Sequence, residues 1–260
     1  MKALLRWAGN ALARYLSRPV PAYHPLATST FGDLDANLRP GDVLLVEGDT
    51  RISGAIKYLT QSTWSHAALC LGRGPFNGCC PGENALIEVD LVEGVRLVPS
   101  ARYADCHTRI CRPVGLSPAD LERIVALAVE RLGHQYDLKN VFDLARYLLP
   151  LPVPASMRRQ MLMLGSGEPT RAICSTFIAQ LFQAVRYPIL PGIERRPTGE
   201  CNTCYDEVLR IRHHSLYAPR DFDVSPYFVV VKPAIEKGFD FRTMRWAAGI
   251  IEGSTKEVPA

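Results

Sequence analysis

Apolar and polar positions alternate along several short stretches of the chain and repeat with helical spacing along others. Val43-Leu44-Leu45-Val46 is an unbroken apolar run entered through the Pro40-Gly41-Asp42 turn, which predicts a buried strand. Ser65 to Leu71, Ala85 to Asp90, Val95 to Val98 and His107 to Val114 read as further short strands, and Tyr227 to Val231 as a late one. A Gly/Cys/Pro loop over 72–83 and a Glu93-Gly94 turn separate them, so the pattern predicts an antiparallel meander. Ile52 to Thr60 reads as a short helix. A longer one runs to Leu132, opened by Ser117-Pro118-Ala119-Asp120 and stopped by Gly133. Two more helical stretches are expected over 140–149 and 155–164. After the break Gly165-Ser166-Gly167-Glu168-Pro169, a helix carries Cys174, Phe177, Ile178, Leu181 and Val185 on one stripe.

The two ends carry their own patterns. Leu4, Leu5, Ala8, Leu12, Tyr15 and Leu16 fall on one side of an N-terminal helix, with Lys2, Arg6, Arg14 and Arg18 as its cations. Such a helix suits peripheral contact with an anionic membrane, and equally a seat on its own domain. Pro19 to Pro40 reads as a Pro-rich linker, and 241–251 as a second short amphipathic helix. The expected division is 1–38 for the N-terminal helix and linker, 39–232 for the main domain and 233–260 for a C-terminal extension.

Composition narrows the classes without choosing among them. With 47% apolar and 22% charged residues over 260 positions, the chain reads as a globular protein. A net charge of +4 is too mild for a dedicated nucleic-acid binder. No stretch reaches the roughly 18 apolar residues needed to span a bilayer. Arg6, Asn10 and Arg14 interrupt what would otherwise be a secretory signal, so a cytoplasmic protein is expected, with membrane association left open. The eight cysteines are irregularly spaced and read mostly as reduced thiols.

Two of the polar side chains combine into a reaction centre. Cys174 stands at the start of an apolar-faced helix, where free backbone N–H groups and the helix dipole favour a thiolate and a developing oxyanion. Taken alone, it reads as readily as a small buried hydrophobe. His66 lies on a strand with Ala68 and Cys70 on its face, small neighbours that leave room for an approaching helix. A catalytic imidazole needs a group to orient it. Glu88 interrupts an apolar strand and is the first candidate, Asp90 the second; as an edge-strand charge in water, Glu88 would have no such role. Cys106 and His107 are adjacent, so their side chains diverge. Cys201-x-x-Cys204 has metal-ligand spacing that His213 and His214 would have to complete, and no metal site is expected.

Several segments together resemble the permuted NlpC-type papain-like proteins of the YiiX/YebB-like group. They are Gly41-Asp42-Val43, Thr63-Trp64-Ser65-His66, Ile87-Glu88, Gly94-Val95, Gly133-x-x-Tyr136-Asp137 and Cys174-Ser175. Tyr217-Ala218-Pro219-Arg220-Asp221-Phe222 followed by Ser225-Pro226 completes the set, in the family's own order over 40–232. The resemblance implies an α+β fold, circularly permuted relative to papain, with an antiparallel sheet or half-barrel packed against a Cys-bearing helix. It implies Cys174 as nucleophile, His66 as base and Glu88 as third polar group, with Tyr136, Ser65 and Ser175 as substrate contacts. Where family members often carry an acidic residue soon after the cysteine, this chain has Thr176.

The expected activity is that of a cysteine hydrolase acting on a small-molecule, peptide or lipid-like amide or ester, with no cofactor. A lipid-directed acyltransferase or thioesterase of the same fold, and a non-catalytic binding module that keeps the pocket, are the alternatives.

Overall fold

The computed structural model describes residues 11, 14–21, 23, 25–74, 80–135, 173–197, 205–236, 238, 240 and 242. Its centre is a six-stranded antiparallel sheet. The strands are β1 (Val43–Val46), β2 (His66–Gly72), β3 (Ala85–Asp90), β4 (Gly94–Pro99), β5 (Thr108–Pro113) and, outermost after β5, Phe228–Val231. The first four form the predicted meander. β5 departs from it: instead of lying beside β4 it returns to pair with β1, Leu44 opposite Ile110, which gives the order β4-β3-β2-β1-β5 and then the late strand. The return is made through a 3₁₀ turn at Ser100–Tyr103, whose Tyr103 is buried against the sheet with Leu86 and Val98.

Both faces of the sheet are covered, which explains why the strands read as apolar runs. On one face, helix α1 (Phe31–Asn37), capped by Thr30, buries Leu34 against Leu44, Ala68 and Leu86. This helix lies inside the segment expected to be a linker. That segment is tied down again where Pro19 bridges to Thr50 and the Val20 N–H donates to the Asp49 carbonyl at 2.9 Å. Helix α2 (Arg51–Thr60) follows β1, its first turn held by the Thr50 hydroxyl accepting from Ser53 N–H.

The other face of the sheet carries α3 (Pro118–Glu130) and α4 (Ile173–Ala184). Phe177, Ile178, Leu181 and Phe182 of α4 are fully buried against Ala67, Leu69 and Ile87. Each such side chain contributes about 1.5–3 kcal/mol by leaving water. That stripe fixes the height of α4 on the sheet, and with it the position of Cys174.

A hairpin that the periodicity did not predict, β6 (Gly192–Pro197) with β7 (Tyr205–Arg210), forms a separate two-stranded sheet. A short helix α5 (Arg220–Asp223) precedes the late strand, β8, and α6 (Pro233–Glu236) follows it. Of the N-terminal stripe, Leu16 is buried and Tyr15 exposed. The rest of that helix falls largely outside the described residues, as do the expected helices at 140–149 and 155–164 and most of 241–251. Among the described residues no helix is long and apolar enough to cross a membrane.

Candidate active site

His66 is the first residue of β2, and its face is the one that alternation predicts, shared with Ala68 and Cys70. The helix, however, packs on the opposite face, against Ala67 and Leu69. Cys174, at the N-terminal end of α4, and His66 nonetheless line the same cleft, and the thiol lies close enough to the imidazole to raise its pKa. Ring Nε2 is held by Glu88 Oε2 at 2.8 Å, so Nδ1 is the nitrogen left for the thiol.

Glu88 lies on β3, between β2 and β4, and is 2% exposed, so it is no edge-strand charge in water. Four side chains converge on it. Oε2 accepts from His66 and from the Tyr103 hydroxyl; Oε1 accepts from Arg96 Nε and Nη2 at 2.9 and 2.8 Å, with Arg102 Nε at 3.7 Å. Burial alone would raise its pKa, but the bonds from His66, Tyr103 and Arg96 hold it well below the usual carboxylate range. Tyr103 responds oppositely: burial and the neighbouring carboxylate push its hydroxyl well above the ordinary phenol value, so it stays a donor. For His66, burial disfavours the charged ring, but Cys174 and Glu88 outweigh it and raise the pKa to about 10. Asp90, the other candidate orienting group, accepts from the Val92 and Glu93 N–H groups at 2.8 and 3.0 Å and caps the β3–β4 turn.

Two glycines let the backbones around the site approach closely. Gly94, at φ +77°, begins β4 where a Cβ would stand 2.4 Å from the His134 carbonyl oxygen. His134 itself pairs its backbone with Val95, a structural role. At Gly48 a Cβ would meet Ser53 Oγ at 2.3 Å, and the Gly48 N–H donates to Ser65 Oγ at 2.9 Å.

The centre opens into a cleft of about 490 Å³. His66, Glu88, Cys174 and Ser65 line it with Tyr103, Arg96, Arg102 and Cys106; Ile52 and Ile56 of α2 and Leu91 add apolar side chains, and Ser17 also belongs to the lining. Ser175 is not part of this lining: it is fully buried, and its hydroxyl donates to the Tyr217 carbonyl at 2.6 Å. Thr176 is nearly buried, and its Oγ1 has no hydrogen-bond partner among the described residues. Tyr136 lies outside the described residues, as do Cys201 and Cys204. His213 and His214 stack at 4.0 Å, and among the described residues no three His, Cys, Asp or Glu side chains are placed to hold a metal ion.

Sequence reasoning missed Arg96, Tyr103, Arg102 and Cys106. The Asp90–Gly94 turn puts Arg96 directly across from Glu88, so counting back along the hairpin would have found it. His107, whose side chain diverges from Cys106 as expected, bonds Glu47 at 2.8 Å and stacks on Trp64.

One solved structure that the chain is similar to is that of YiiX. This is the metalloprotein YiiX from Escherichia coli O157:H7, DUF1105, matched at 16% identity and a TM-score of 0.44 over 81% of this chain and 98% of that one. No protein-family model matches the chain, and no curated protein does.

Proposed function

We propose that the protein is a cysteine hydrolase with a circularly permuted papain-like architecture, cleaving an amide or ester bond through an acyl-enzyme on Cys174. The observation that carries this reading is that Cys174, His66 and Glu88 line one open cleft, with His66 bonded to Glu88 and Cys174 near enough to raise the imidazole's pKa. In the proposed cycle His66 Nδ1 takes the thiol proton and Glu88 holds the resulting imidazolium. The thiolate attacks the acyl carbon, a C–S bond forms, and the carbonyl π electrons move onto oxygen. Backbone N–H groups at the start of α4, which lack partners within the helix, receive that oxyanion. Its collapse expels the amine or alcohol, which takes its proton from the imidazolium. A water deprotonated by His66 then attacks the acyl carbon, the C–S bond breaks and releases the acid, and the imidazolium returns its proton to the sulfur.

The apolar side chains of Ile52, Ile56 and Leu91 in the lining favour a second reading, in which a lipid-like acyl group is passed to an acceptor alcohol or amine instead of water. Both readings need the same nucleophile. Burial pushes the Cys70 thiol up to about 12 and raises Cys106 and Cys111 as well. Iodoacetamide at limiting dose is therefore expected to label Cys174 before these three, and His66→Ala to abolish that preference. Labelling spread over other cysteines while Cys174 stays inert overturns the proposal.

A further inference from the structure

We infer that Arg102 selects substrates carrying an anionic group, a carboxylate or phosphate, beside the acyl carbon that Cys174 attacks. The inference rests on the hydrolase reading and names the substrate class for the same cleft. Arg102 sits on the 3₁₀ turn after β4, on a backbone pinned on either side. Ser100 Oγ donates to Asp35 at 2.6 Å, the Ala101 N–H to Glu83 at 3.2 Å, and the next side chain, Tyr103, to Glu88. The turn thereby sends Tyr103 inward and leaves Arg102 half exposed on the cleft wall.

The two cleft arginines differ in what they hold. Arg96 is mostly buried and answers three carboxylates, Glu88, Asp90 and Glu93, so its charge is neutralised within the protein. Among the described residues Arg102 pairs only with Glu88, at 3.7 Å and on the oxygen that Arg96 already binds twice. It makes no hydrogen bond within the described residues, and it retains a planar fork of N–H donors suited to a carboxylate or phosphate. Asp49 also lines the cleft, from the loop after β1, and both it and Arg102 act on the neighbouring Cys106 thiol, so an incoming anion meets Arg102 with one carboxylate nearby. Ile52, Ile56 and Leu91 of the same lining suit the uncharged part of the same molecule.

The test compares two alkylating agents of the same size, iodoacetate and iodoacetamide, at Cys174 of the full chain. Their rate ratio cancels any general change in thiol reactivity. A unit charge several ångströms from the incoming carboxylate is worth about threefold to tenfold in rate at low ionic strength. The ratio is expected to fall by that factor in Arg102→Gln, to be retained in Arg102→Lys, and to lose its dependence on Arg102 in about 1 M NaCl. A ratio unchanged in Arg102→Gln overturns the inference. In the unmodified protein succinate is expected to protect Cys174 from iodoacetamide where succinamide does not, and equal protection by the two also overturns it. A Cys174 that iodoacetamide fails to label in the wild type removes the hydrolase reading itself, an outcome distinct from an unaltered ratio.

Discussion

Replacing Glu88 by glutamine preserves the shape of the side chain and deletes the charge on which the imidazole leans. The carboxylate it alters is 2% exposed, while His66 is 24% exposed at the cleft, its Nε2 2.8 Å from that carboxylate. An opposite charge at hydrogen-bonding distance shifts a pKa by about one to three units, at about 1.4 kcal/mol per unit. The sign follows from the charges, because an anion beside the ring favours its protonated form and taking the anion away disfavours it. His66 is raised to about 10 by Cys174 as well as by Glu88, so part of the elevation survives the substitution. Glu88→Gln is therefore expected to bring the His66 midpoint down from about 10 by about one to three units. The assay is the ring Cε1–H resonance of His66 followed by NMR between about pH 5 and about pH 11, assigned by its loss in His66→Ala. A midpoint that stays near 10 in Glu88→Gln, or rises, refutes the idea that this carboxylate holds the imidazolium.

Periodicity was enough to place β1 to β5, α2, α3 and α4 along the chain, because each buries a face with the repeat of its own geometry. It was not enough to order them. β5 pairs with β1 because the 3₁₀ turn carrying Tyr103 packs on the α1 face of the sheet and sends the chain back along it, and nothing in a strand's own alternation records that return. The β6–β7 hairpin escaped for a related reason: Ile193 and Leu209 pair across it while exposed, so these apolar positions mark no buried face. At the site, Cys174 and His66 were legible as candidates, one by its place at a helix start and the other by its strand. Alternation also gave His66 its correct face, yet the expectation that the helix would approach over that face was wrong. Ala67 and Leu69, rather than Ala68, receive α4. The partners that tune the centre were partly hidden. Arg96 follows from hairpin register, whereas Tyr103 and Arg102 reach Glu88 from a turn whose path depends on the tertiary fold.

The remaining predictions concern the same network. Tyr103→Phe keeps the ring in place and removes one donor from a buried carboxylate, so stability in urea is expected to fall by about 1.5–3 kcal/mol; a loss below about 0.5 kcal/mol would mean that the hydroxyl contributes nothing to holding Glu88. The pH dependence of stability follows from His66, whose pKa rises from 6.5 to about 10 on folding through Cys174 and Glu88, against the opposing effect of burial. A group raised in this way contributes fully below its unfolded value and loses that contribution as pH climbs through the folded one. The wild type is thus expected to lose stability relative to His66→Ala between about pH 6.5 and about pH 10, in urea titrations run at matched ionic strength. Buried thiols such as Cys70 and Cys111 also destabilise the fold at high pH, but they are present in both proteins and cancel in the difference. A difference curve that is flat across that window would mean that the folded protein does not hold His66 as an imidazolium, and the ion-pair account of the centre would fail with it.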